Sequence, residues 1–149
     1  MNRDFVDLLC AFNDHEVDYL VVGAHALAAH GCVRATKDLD VWIRPTPENA
    51  DRAYRALAFF GAPLSDLGPA DLCTPGTVFQ IGVAPLRIDV LTRIDGIEFG
   101  EAWAGKVAAS FGDTPTFVLS REHLIRNKRA AGRLQDLADV ERLERGGDD

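Results

Sequence analysis

The stretch Arg34-Ala35-Thr36-Lys37-Asp38-Leu39-Asp40-Val41-Trp42-Ile43 decides how this chain is read. Its second half is apolar and β-branched and runs into Pro45, which marks a core strand over Leu39 to Ile43. Residues two apart in a strand point to the same face, so Asp38 and Asp40 project side by side. Two like charges that close repel, at a cost to stability unless a cation lies between them. The pair alone also fits a polar strand end with solvated or capping aspartates.

Asp89 changes the weighting. It lies in Leu86-Arg87-Ile88-Asp89-Val90-Leu91, a second run that otherwise reads as core strand. A carboxylate inside such a run is expensive to bury unless it is paired or metal-bound. If this strand neighbours the first, three carboxylates converge, and hard oxygen donors in that number suit Mg²⁺ or Mn²⁺. The competing reading of Asp89 is a salt bridge to Arg87 or Arg93.

Upstream, Val17 to Val22 reads as a strand ending at Gly23, and Ala24 to His30 as a short alanine-rich helix ended by Gly31. Such a strand–glycine–helix junction presents free backbone N–H groups to an anion, and a glycine lets phosphate approach the backbone. Downstream, Lys128 and Arg133 fall in a helical segment with Asp136 and Asp139 at spacings of three. They are candidates for phosphate contact, whereas Arg126 and Arg129 read as surface salt-bridge partners.

The rest of the chain supplies the frame. Asn2 to Asp14 has helical apolar spacing at Phe5, Leu8, Leu9 and Phe12. Thr46-Pro47 looks like an N-cap and first helical position, opening a helix that runs to Phe60 and stops at Gly61. Thr77 to Val83 and Leu86 to Thr92 suggest an antiparallel hairpin around Ala84-Pro85. A short helix is expected over Phe99 to Lys106 and short strands over Val107 to Phe111 and Thr116 to Leu119. Ser120 caps a last helical segment over 120–145, interrupted near Gly132. This predicts one α+β domain over residues 1–149, a mixed β-sheet with flanking helices lying mainly on one face.

Composition sets the bounds. With 47% hydrophobic and 26% charged residues the chain is an ordinary globular one. A net charge of −7 argues against a broad basic surface for duplex nucleic acid. Cys10, Cys32 and Cys73 are scattered and read as small buried hydrophobes rather than a disulfide framework or a zinc knuckle. No apolar run approaches the ~18 residues of a membrane span, and Met1-Asn2-Arg3-Asp4 does not open a signal peptide. The expectation is a cytoplasmic protein with no membrane partner.

The order strand–Gly23–helix, then Arg34-x-Thr36-x-Asp38-Leu39-Asp40, then Asp89 on a later strand, resembles the nucleotidyltransferase (polymerase β-like) superfamily. Within it, the chain is similar to the small bacterial AbiEii-type nucleotidyltransferases of toxin–antitoxin systems, which share the Arg-x-Thr-x-Asp-hydrophobic-Asp segment and a later Lys…Arg…Asp…Asp helix. One departure stands out: Ala24 follows Gly23 where the superfamily usually has Gly or Ser.

The resemblance implies a nucleotidyltransferase fold and transfer of a nucleoside monophosphate from a nucleoside triphosphate to a hydroxyl. It implies Asp38, Asp40 and Asp89 as catalytic metal ligands for Mg²⁺ or Mn²⁺, with Asp89 able to take the hydroxyl proton. Gly23 and the N–H groups of Ala24 and His25 would cradle phosphates, and Lys128, Arg133 and Lys37 would neutralise the triphosphate. The acceptor could be a tRNA, a protein hydroxyl or a small molecule, and a cognate antitoxin or other partner protein is implied. Two readings compete: an inactive nucleotide- or partner-binding module of the same fold, and a histidine metal site built on His25 and His30 with His15 or His123.

Overall fold

The computed structural model describes residues 2–33, 38–83 and 86–146. The Arg34-x-Thr36 prefix, Lys37 and the Ala84-Pro85 turn lie outside them.

The first helix, α1 (Arg3–Asp14), is capped by Asn2, whose Oδ1 accepts the Phe5 N–H at 3.1 Å. It buries Phe5, Leu8, Leu9 and Phe12, the four positions of the helical apolar pattern. Strand β1 (Tyr19–Val22) leads directly into α2 (Gly23–Ala29). Strand β2 (Leu39–Ile43) is followed by α3 (Pro47–Phe60), which starts at the Thr46 cap and ends at Gly61 with φ 97°. After a 3₁₀ turn (Pro69–Cys73) come β3 (Val78–Ile81) and β4 (Ile88–Leu91). Helix α4 (Phe99–Ala104) precedes the hairpin β5 (Val107–Phe111) and β6 (Thr114–Val118). The last segment is two helices, α5 (Arg121–Ala131) and α6 (Leu134–Glu144), parted at Gly132, which takes φ 70°.

The strands form one six-stranded mixed sheet in the order β3-β4-β2-β1-β6-β5. β1 runs antiparallel to β2, while β2–β4 and β1–β6 are parallel pairs and β3–β4 and β5–β6 antiparallel ones. Alternation along β2 then assigns each residue a face. Leu39, Val41 and Ile43 look toward α1 and α3, the side on which the Phe12 ring meets Tyr19 at 5.5 Å. Asp40 and Trp42 look the other way, where Trp42 meets Phe99 of α4 at 5.0 Å. The expected placement of helices mainly on one face is therefore revised. α4 covers the Trp42 end of the opposite face and leaves the Asp40 end for the site.

The core is one continuous cluster in which Leu20, Leu39, Val41, Ile43 and Val90 are fully buried. Burying side chains of this size contributes roughly 1.5–3 kcal/mol apiece. That burial pins the register of the central strands, because a one-residue slip would turn Asp40 and Asp89 into the core.

Candidate active site

Register brings the carboxylates together. β2 and β4 are adjacent and parallel, with Asp40 directly opposite Asp89. Asp38 sits one residue before β2, and its Oδ1 accepts the Arg87 backbone N–H at 3.1 Å. On the other side of Asp40 stands Val22, its partner in β1, so the Gly23 junction abuts the Asp40 side chain. The fit is close: Gly23 has φ +69°, and a Cβ built there would overlap Asp40 Oδ2. Both the left-handed backbone and the contact call for glycine.

The electrostatics follow from that crowding. Burial first, then the charges of Asp89 and Asp38, push the Asp40 carboxyl up to about 6, against a smaller opposing pull from Arg87 and Lys128. Asp89 is buried and paired with Arg87, whose Nε–H donates to Asp89 Oδ1 at 2.9 Å. The Arg87 Nη2 also lies 3.3 Å from Asp38 Oδ2. The salt bridge that competed with metal ligation for Asp89 is thus present, and the same guanidinium spans to Asp38.

A cleft of about 510 Å³ opens over Asp38 and Asp40, walled by Gly23 and Ala24 on one side and by Lys128 and Arg133 on the other. Lys128 is 7% exposed, and its Nζ lies 3.3 Å from Asp136 Oδ1 and 3.1 Å from Asp139 Oδ2. Burial pushes the Asp136 carboxyl up, but the hydrogen bond from Arg133 and the Lys128 charge outweigh it and hold it below the usual range. Arg133 bonds Asp136 Oδ2 through Nε at 2.6 Å while its side chain stays 78% exposed at the cleft mouth. The helical spacing of Arg133, Asp136 and Asp139 is as expected, yet the acids form a buried cluster on Lys128 rather than a surface ladder. Arg126 and Arg129 do pair at the surface, with Glu101 and Glu144.

His25 lies elsewhere. Its ring packs on Phe5 at 5.6 Å and on Phe111 at 5.1 Å, and burial holds it below the usual histidine range. Its side chain is therefore part of the α1–β5 packing and is not among the cleft residues. The other histidines are also dispersed: His15 Nδ1 bonds the Ala11 carbonyl and His30 Nε2 the Leu119 carbonyl, each at 2.8 Å. The sequence marks Arg87 only as a salt-bridge partner of Asp89 and gives no sign of Ile94, Asp95 and Asn127, which complete the cleft wall. Arg87 had a signal, its place two residues before Asp89 on the same strand face. The wall residues come from turns and from α5, with no local pattern to mark them.

The donor chemistry fits a hard divalent cation. Three carboxylates lie on adjacent chain segments, and burial, then the charges of Asp89 and Asp38, raise the Asp40 carboxyl, so a cation there would relieve like-charge repulsion. Among the described residues, no three carboxylate, imidazole or thiol groups already stand in a chelating arrangement. Asp38 and Asp89 are instead drawn onto Arg87.

No protein-family model matches the chain, and no curated protein matches it in sequence. Solved structures do match in shape. The lincosamide antibiotic adenylyltransferase LnuA, with lincomycin bound, superposes with a TM-score of 0.60 at 12% identity, over 97% of this chain and 96% of that one. A putative nucleotidyltransferase from Thermotoga maritima gives 0.58 at 16% identity, over 96% and 89%. The antibiotic-resistance factor ANT(2'')-Ia gives 0.59 at 14% identity, over 97% and 87%. The chain has the nucleotidyltransferase fold, as the Asp38-Leu39-Asp40 segment led one to expect.

Proposed function

We propose that this protein transfers a nucleoside monophosphate from a nucleoside triphosphate to a hydroxyl of an acceptor, using Mg²⁺ or Mn²⁺ held by Asp38, Asp40 and Asp89. The observation that carries the reading is the register of Asp40 against Asp89 beside a glycine that only a missing Cβ accommodates. A bound divalent cation would neutralise triphosphate charge and acidify the attacking hydroxyl. The chain's own residues do the rest. Gly23 and the Ala24 N–H leave room for phosphate oxygens at the backbone. Lys128 and Arg133 face them across the cleft, with Arg133 the exposed cation able to reach a phosphate. Lys37 is assigned to the same charge. Asp89 accepts the hydroxyl proton as the acceptor oxygen bonds to the α-phosphorus and pyrophosphate leaves.

A small hydroxyl-bearing acceptor is favoured over RNA or protein. A second cleft of about 670 Å³, walled by Trp42, Phe99 and Ile97, meets the carboxylate cleft at Ile94. That volume suits a small molecule, and a net charge of −7 gives little footprint for a polynucleotide. A role beside an antitoxin rests on the motif resemblance alone.

The test is transfer of label from α-labelled triphosphates with Mg²⁺, offering small hydroxyl compounds, tRNA and protein as separate acceptors. Labelling that depends on Mg²⁺ and is lost in Asp40→Asn and Asp89→Asn is expected. Labelling that survives both substitutions would sink the assignment. The second reading, a binding module without turnover, is favoured by Ala24 in place of the usual Gly or Ser. Calorimetry showing tight nucleotide binding with no transfer to any acceptor would select it.

A further inference from the structure

We propose that Arg87 is a built-in counter-cation that closes the carboxylate site until a divalent metal displaces its side chain. The inference rests on Asp38, Asp40 and Asp89 being the metal ligands, as set out above.

The Arg87 backbone is fixed on both sides. Its carbonyl accepts the Leu39 N–H at 2.9 Å, and its N–H donates to Asp38 Oδ1. Its guanidinium then spans the carboxylates of two chain segments, with Nη2 3.3 Å from Asp38 Oδ2 and 3.4 Å from Asp89 Oδ2, and Nε 2.9 Å from Asp89 Oδ1. A planar fork of this kind matches carboxylate oxygens well. Mg²⁺ binds oxygen at roughly 2.1 Å and draws on the same carboxylate oxygens. A cation held by Asp38 and Asp89 would lie close to the guanidinium bonded to both, so the two positive charges compete for the carboxylates and repel each other.

Three features make displacement feasible. The Arg87 side chain is 32% exposed, so it has solvent to swing into without moving the ladder. Among the described residues no hydrogen bond or ion pair engages the Asp40 carboxylate, which leaves a lone ligand to meet an incoming metal. Lys128, the other cation near Asp40, is already engaged by Asp136 and Asp139 and does not compete for the three aspartates. The pairing thus holds like charges together in the metal-free protein and reduces the fraction of molecules ready to bind metal.

The experiment is titration of the full chain, stripped with EDTA, with Mn²⁺ alone, read by electron paramagnetic resonance. If the closed pairing occupies about nine-tenths of molecules, Arg87→Met tightens apparent affinity about tenfold. Arg87→Lys, which keeps the charge but not the fork, falls between it and the natural protein. In a ¹⁵N-labelled sample the Arg87 Nε–H resonance, assigned by its loss in Arg87→Lys, shifts as Mg²⁺ is added.

Equal or weaker Mn²⁺ binding in Arg87→Met overturns the proposal, and so does an Nε–H resonance unmoved at saturating Mg²⁺. If Arg87→Met fails to fold, Arg87→Lys and the resonance decide. Asp40→Asn separates this inference from the function. If Asp40→Asn abolishes Mn²⁺ binding but Arg87→Met does not tighten it, only the Arg87 inference falls. If Asp40→Asn binds Mn²⁺ like the natural protein, the metal site itself falls, and Arg87 with it.

Discussion

Replacing Asp40 with asparagine is expected to stabilise the metal-free protein at pH 8 while destroying its site. The carboxyl is pushed from 3.8 to about 6 by burial, then by Asp89 and Asp38. A shift of roughly two units is worth about 3 kcal/mol, at 1.36 kcal/mol per unit. The folded state holds the Asp40 proton more tightly than the unfolded chain does. Its favourable contribution is therefore complete below about pH 4 and is lost as pH rises through about 6. Above that, the folded protein carries the full strain of a charge it would rather not hold. Asparagine has nearly the same shape and no charge, so it removes the strain.

Partial exposure and salt screening reduce the gain to about 2 kcal/mol, still well above the ±0.5 kcal/mol of an ordinary surface change. For a chain of this size that is a rise of about 4–8 °C in Tm. Calorimetric unfolding in EDTA at pH 8 and at pH 4.5 measures it. Stabilisation at pH 8 that shrinks toward zero at pH 4.5 is the expected pattern. Equal shifts at the two pH values, or a loss at pH 8, would refute the account of Asp40 as a strained carboxylate. Adding Mg²⁺ should reverse the order, since the natural protein gains from binding and the variant does not.

Other substitutions probe other parts of the structure. Gly23→Ala sets a Cβ against Asp40 Oδ2 at a left-handed φ, so it should cost about 2 kcal/mol or more in denaturant unfolding and abolish transfer of label. Lys128→Met leaves Asp136 and Asp139, each 1% exposed, without their buried cation; a loss of about 3–5 kcal/mol is expected, and a loss under about 1 kcal/mol would show that the cluster is not what holds α6 to α5. His25→Phe removes a buried Nε2 that has no hydrogen-bond partner and keeps the aromatic packing on Phe5 and Phe111. Its stability should be equal or up to about 1 kcal/mol higher, with transfer within about threefold; a loss of nucleotide affinity in calorimetry would instead return His25 to the site.

Local pattern carried the helices and strands because each has a short-range physical cause. Asn2, Thr46 and Ser120 each cap a helix start, and Gly61 and Gly132 take the left-handed φ that ends one. The inward face of α6 was not legible in this way. Apolar spacing would turn Leu134 and Leu137 inward, yet they are 89% and 47% exposed, while Asp136 and Asp139 face in with Val140 and Leu143. The reason is a residue on another helix: Lys128 is buried on α5, and its charge needs two carboxylates more than two leucines need cover.

The opening segment marks the same division. From Asp38-Leu39-Asp40 and Asp89 alone, one can infer strands carrying carboxylates that demand a cation, because alternation and the cost of buried charge are properties of the chain's own covalent order. Which groups meet those carboxylates was decided only when β4 came to lie parallel to β2. That pairing put Asp40 opposite Asp89, brought Gly23 against Asp40, and swung Arg87 across Asp38 and Asp89. Strand order is a long-range choice made by the burial of Leu39, Val41 and Val90, and no spacing within either segment encodes it.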